Sequence, residues 1–162
     1  MRAYGELAAH AERLARAERV NVGDTWYEAG AAVGDEAGTW AWNGADDMKL
    51  NGYNGGAIEA EGKLNVNYSG NNTVANDSGS GIRVTDGANE NAELNIKGDA
   101  SSTLNVTSSG DAIWSEGDIN IDGAGTVNAT SAEATPLMPR AISPSRARVT
   151  STPRVIRKAS GR

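Results

Sequence analysis

An indole ring beside carboxylates and a guanidinium is a grouping that can hold a sugar. The ring covers C–H faces, and the polar side chains take the hydroxyls. Trp114 has that company in this chain: Glu59, Glu61, Arg83, Thr85 and Glu116 occupy the polar positions of three similar short segments, and Trp114 takes one of those positions in the third. Glu59, Arg83, Thr85 and Trp114 are therefore the expected carbohydrate-binding residues. The alternative for Trp114 is an exposed ring that shields neighbouring backbone.

The turn carboxylates Glu61, Asp86 and Glu116 precede Gly62, Gly87 and Gly117. The glycines are expected at corners that need positive φ. Like charges stacked at strand spacing repel, and a cation would relieve them. Asp111 and Asp118 lie close to Glu116, so Asp111, Glu116 and Asp118 are the expected metal ligands. Six to eight oxygens suit calcium. The alternative is a set of solvated surface acids.

Other chemistry is poorly supplied. There is no cysteine, hence no disulfide, zinc–thiolate site or thiol nucleophile. The single histidine, His10, lies in a polar Ala/Glu/Arg stretch. A polysaccharide lyase would have only Arg83, with Thr85 and Asp86 nearby, as base or charge stabiliser. The chain is expected to be non-enzymatic.

The elements that must position these residues are short. Of 162 residues 20 are Gly and 15 Asn, and the only aromatics are four Trp and four Tyr. Such a chain favours turns and short strands. Charge divides it into three. Residues 20–135 carry 18 acids against Lys49, Lys63, Arg83 and Lys97, whereas 136–162 carry seven basic residues and no acid. The acidic middle argues against a nucleic-acid partner, and no apolar run reaches the ~20 residues of a membrane span.

The middle repeats itself. Segments from Ala57, Gly81 and Ala112 share a strand, an acid–Gly turn, a strand, a Gly/Asn corner and a third strand. A 24-residue step backwards from Leu64 and Val66 reaches Trp40 and Trp42, which predicts a further copy beginning near Val33 with both tryptophans plugging the core. Alternation puts Ile58, Leu64, Val66, Ile82, Leu94, Ile113 and Ile119 on the inner face. Asn65, Asn95 and Asn120 fall at one outer position, where stacked amides can form a hydrogen-bonded ladder. The expected fold is all-β: a short, right-handed parallel β-helix of about four three-strand rungs, with an N-terminal helix and an irregular C-terminal tail. A β-sandwich is the rival.

The stretches GDAIWSEGDINIDGAGTVNATS and WNGADDMKLNGYNGGAIEAEG resemble the carbohydrate-binding β-helix modules of bacterial surface proteins, over roughly residues 24–135. The resemblance implies a secreted, non-catalytic module that binds polysaccharide, sometimes with calcium. The expected location is extracellular or on the bacterial cell surface, within a longer parent, with no signal peptide in this chain. A purely structural stalk segment is the alternative.

Residues 1–23 are expected to form an amphipathic helix with Tyr4, Leu7, Ala11 and Leu14 on one stripe, as a cap or linker. Residues 136–162 read as a basic disordered tail or as a fifth rung translated out of frame. Steps of 24 residues from Ile119, Ile121 and Val127 reach Ser143, Ser145 and Ser151. Serine TCN codons shifted by one base become NTC, which encodes only Phe, Leu, Ile or Val. Loss of that rung would leave an open edge through which the chain can self-associate.

Overall fold

Alternation of small apolar residues with Asn, Thr and charged residues gives strands that bury one face and wet the other. The computed structural model describes residues 2–132, 143–144, 148–151 and 156–158. Helix α1 (Arg2–Leu14) precedes a hairpin of β1 (Ala17–Val22) and β2 (Thr25–Glu28). Gly23 and Asp24 both have positive φ, +62° and +74°, as a two-residue hairpin turn requires. A meander follows: β3 (Val33–Gly34), β4 (Trp40–Trp42) and β5 (Asp47–Asn51). The remaining strands of the middle are β6 (Asn54–Gly55), β7 (Ile58–Ser69), β8 (Asn71–Asn76), β9 (Ile82–Thr85), β10 (Glu93–Gly98), β11 (Thr103–Ser108), β12 (Ile113–Ser115), β13 (Asp118–Gly123) and β14 (Thr126–Ser131). Three short strands lie in the basic tail: β15 (Ser143–Pro144), β16 (Arg148–Ser151) and β17 (Ile156–Lys158).

The chain is all-β apart from α1, but the expectation of a parallel β-helix of rungs is corrected. Twelve strands form one mixed sheet, and a separate five-stranded parallel sheet runs β16-β14-β11-β8-β6. In the mixed sheet β1 pairs antiparallel with both β2 and β7, and β4 pairs antiparallel with both β3 and β5. The copy expected to start near Val33 is that meander. Trp40 stands opposite Leu50 and Trp42 opposite Met48, while Met48, not Trp42, is the partner of Val66. Nor is Glu61–Gly62 a corner. β7 runs through it as one 12-residue strand. Gly62, with φ +102°, lies where the pairing of β1 shifts register between Ala17 and Arg19. A positive-φ glycine absorbs such a bulge without ending the strand.

The inner-face alignment itself matches the pairing. Ile58, Ile82 and Ile113 are successive partners on parallel strands, as are Leu64, Leu94 and Ile119. All six lie in one buried cluster with Val66, Val74, Leu104 and Val127. Trp40 and Trp42 are buried there too, as their alternation predicts. Burial of these side chains removes on the order of 25 cal/mol per Å² of apolar surface from water and is the main force holding the sheets together.

At the N-terminus α1 is held at its C-terminal end. The Asn91 amide donates to the carbonyls of Arg13, Leu14 and Arg16 at 3.2, 3.0 and 3.1 Å, satisfying groups that a helix end leaves unpaired. Leu7 and Leu14 of the expected stripe remain exposed. Residues 17–22, expected within the cap or linker, belong to the sheet.

In the tail, β17, β15 and β16 pair parallel with β12, β13 and β14, so the edge expected to lie open is covered at those positions. Ser143 stands opposite Asn120 rather than Ile119, and Ser151 opposite Ala129 rather than Val127. These strands are thus one and two residues away from the 24-residue step. Ser145 lies outside the described residues.

Candidate functional site

Partners in a sheet share a face, so register decides which polar residues meet. Asn21 of β1 is opposite Trp26 on one side and Glu59 on the other. Glu59 is opposite Arg83, and Arg83 is opposite Trp114. One row thus crosses five strands in the order Trp26, Asn21, Glu59, Arg83, Trp114. In register, Arg157 of β17 follows Trp114. The facing inner residues Val20, Val22, Ile58, Ile82 and Ile113 are all buried, which fixes the row on the outside.

Two neighbouring pairs of the row are in contact. The Asn21 amide donates to the Glu59 carboxylate at 3.5 Å. The Arg83 guanidinium carbon lies 5.1 Å from the centroid of the Trp114 ring, within cation–π range. Three of the four expected sugar contacts, Glu59, Arg83 and Trp114, are therefore brought together. Thr85, the fourth, lies one position along, opposite Glu61 in the neighbouring row. Its hydroxyl donates to the Ala60 carbonyl at 3.5 Å. Trp114 is half-buried rather than largely exposed, because β9 and the Arg83 side chain lie against it.

A cleft of about 520 Å³ opens beside the row, lined by Asn21, Asp24, Glu59, Asp77, Ser80 and Arg83 among others. Its walls offer carboxylate and hydroxyl oxygens, amides and one guanidinium. That set both donates to and accepts from hydroxyl groups.

The turn acids find protein partners. Glu61 forms an ion pair with Arg19 at 2.5 Å. That hydrogen bond raises the Arg19 guanidinium above its usual range. The Asp86 carboxylate accepts from the Ala92 N–H at 3.0 Å, and Glu116 accepts from the Asp86 N–H at 2.5 Å. Backbone donors and Arg19 thus offset the repulsion that suggested a cation. Among the described residues no group of three or more His, Asp or Glu is arranged to hold a metal ion, so Asp111, Glu116 and Asp118 do not assemble as a calcium site. The glycines differ as well. Gly62 alone of the three has positive φ. Gly117 is needed for close approach, since a Cβ there would stand 1.7 Å from the Ala92 carbonyl oxygen.

The asparagine ladder forms as its spacing predicts. Asn120 donates to Asn95 at 2.8 Å, Asn95 to Asn65 at 2.9 Å, and Asn65 to Asp47 at 2.9 Å. These amides are committed to one another, and the ladder is structural.

Trp26 is the member of the row that the repeat could not reveal. It lies outside the three aligned segments, on an edge strand, and is 41% exposed. The signal that places it is the Gly23–Asp24 pair between the alternating runs VNV and TWY, a hairpin turn with Trp26 directly across from Asn21. Among the described residues no helix is long and apolar enough to cross a membrane. Comparison with known proteins gives no match to a family model, a curated protein or a solved structure.

Proposed function

We propose that this chain is a non-catalytic polysaccharide-binding or adhesive module of a bacterial cell-surface or secreted protein, and that it binds through the outer face of β7, β9 and β12. The observation that supports the reading is the contiguous row Glu59, Arg83 and Trp114 beside the polar cleft. An indole with a guanidinium and a carboxylate next to it can stack on a pyranose ring and hydrogen-bond the hydroxyls at its edge. Oxygen and nitrogen donors in an open cleft suit a flexible chain lying across them rather than an enclosed small molecule.

A glycan array, followed by affinity electrophoresis in the polysaccharides it selects, tests this. Retention is expected with or without EDTA, because the carboxylates near Glu116 are engaged with backbone donors. Arg83→Ala and Trp114→Ala should each weaken retention by about tenfold, the cost of roughly 1.4 kcal/mol per lost contact. A chain that binds no glycan in any condition is a structural segment, and the proposal fails.

A further inference from the structure

We propose that Trp26 is a second aromatic platform of the same site, so that the module grips an internal stretch of polysaccharide chain between two indoles rather than a single sugar or a chain end. This rests on the polysaccharide reading above and specifies its ligand. The geometry is the register. Trp26 and Trp114 lie in one row, four strand spacings apart, with Asn21, Glu59 and Arg83 filling every intervening strand. At ~4.8 Å per spacing the two rings stand about 19 Å apart along the row. A pyranose unit of an extended chain advances by about one strand spacing, so the row accommodates about four to five sugar units.

Each ring has a cation against it. Arg19 lies 4.5 Å from the centroid of Trp26 and is itself anchored by Glu61, while Arg83 lies over Trp114. A cation against an indole restricts its motion, so less freedom is lost when a sugar stacks on the remaining exposed surface. Trp26 keeps much of its surface in water although it stands on an edge strand beside the packing of partly buried Tyr27 on buried Trp40, where an inward ring would have found apolar company. Two platforms on one rigid sheet also act together. A chain long enough to reach both engages the second at high effective concentration, and a shorter one cannot.

The test uses the intrinsic tryptophan fluorescence of the full chain, titrated with xylo-, β-1,3-gluco- and galacturono-oligosaccharides from disaccharide to octasaccharide. In at least one series the affinity should rise with length up to about five units and then level off. Trp26→Ala should weaken hexasaccharide binding roughly five- to tenfold and leave disaccharide binding unchanged, and Trp26→Phe should restore most of the loss. Trp114→Ala should weaken both. Affinity that levels off at the disaccharide, or Trp26→Ala binding the hexasaccharide as tightly as the parent, overturns the second platform while leaving the polysaccharide reading in place. Failure of every series to bind overturns the second platform, and the polysaccharide reading falls with it if the glycan array also retains nothing. The length dependence needs no variant, so the inference stays testable even if a substitution disturbs the hairpin.

Discussion

Tyr68 shows how single residues set the limits of this core. It stands in register between Leu50 and Gly98, and its ring fills the space a side chain at Gly98 would need. A Cβ at Gly98 would lie 2.1 Å from the ring. The phenol is buried with no hydrogen-bond partner among the described residues, and burial pushes its pKa up to about 12. Neutral tyrosine is thus favoured in the folded state. The stability this represents is complete below pH ~10, where unfolded tyrosine begins to ionise, and is lost as the pH rises towards 12. Tyr68→Phe removes an unsatisfied hydroxyl and should change stability at pH 7 by less than ~1 kcal/mol, in the stabilising direction if at all. It should also flatten the alkaline loss seen by urea denaturation between pH 10 and 12. Part of the slope should remain, because burial raises Tyr53 as well. Asn72 is the counter-example. This amide is fully buried at an inner position opposite Leu104, and it accepts from the Tyr53 N–H and donates to the Ser69 carbonyl. Alternation alone assigns the inner positions by hydrophobicity and passes over such a residue.

Individual elements were legible where the residues repeat. The inner ladders and the asparagine ladder follow from spacing, since a parallel register places equivalent positions side by side. The asparagine ladder joins β5, β7, β10 and β13. Asn95→Ala should destabilise the fold by about 1–2 kcal/mol in chemical denaturation, because the Asn65 oxygen and the Asn120 amide both lose their partner. A cost equal to that of an isolated surface substitution, near zero, would show that the ladder does not form. Illegible were the elements whose alternation is the same but whose direction differs. Trp40 and Trp42 alternate as Leu64 and Val66 do, yet they pair antiparallel, because the short connection 43–46 to β5 suffices only for a hairpin. Period-2 patterning fixes which face a side chain takes, not which way its strand runs. The continuous β7 was hidden for a related reason. Gly62 reads as a turn residue, whereas β1, lying across it, converts it into a bulge.

At the scale of the molecule, the sheet face that carries the proposed site is assembled from distant parts of the chain. Trp26 and Trp114 are 88 residues apart in sequence and share one row only because β1 inserts between β2 and β7. The repeat supplied Glu59, Arg83 and Trp114, and the N-terminal hairpin completes the row. That division explains why part of the site could be read from spacing and part could not. It also gives the account its most direct test, a ¹H–¹⁵N correlation spectrum recorded while titrating the polysaccharide that the glycan array retains most strongly. The indole N–H signals of Trp26 and Trp114 and the amides of Asn21, Glu59 and Arg83 should shift together. Asn105, Thr107 and Thr130 of the separate five-stranded sheet should stay fixed. Shifts confined to that other sheet, or an unchanged spectrum, would contradict it.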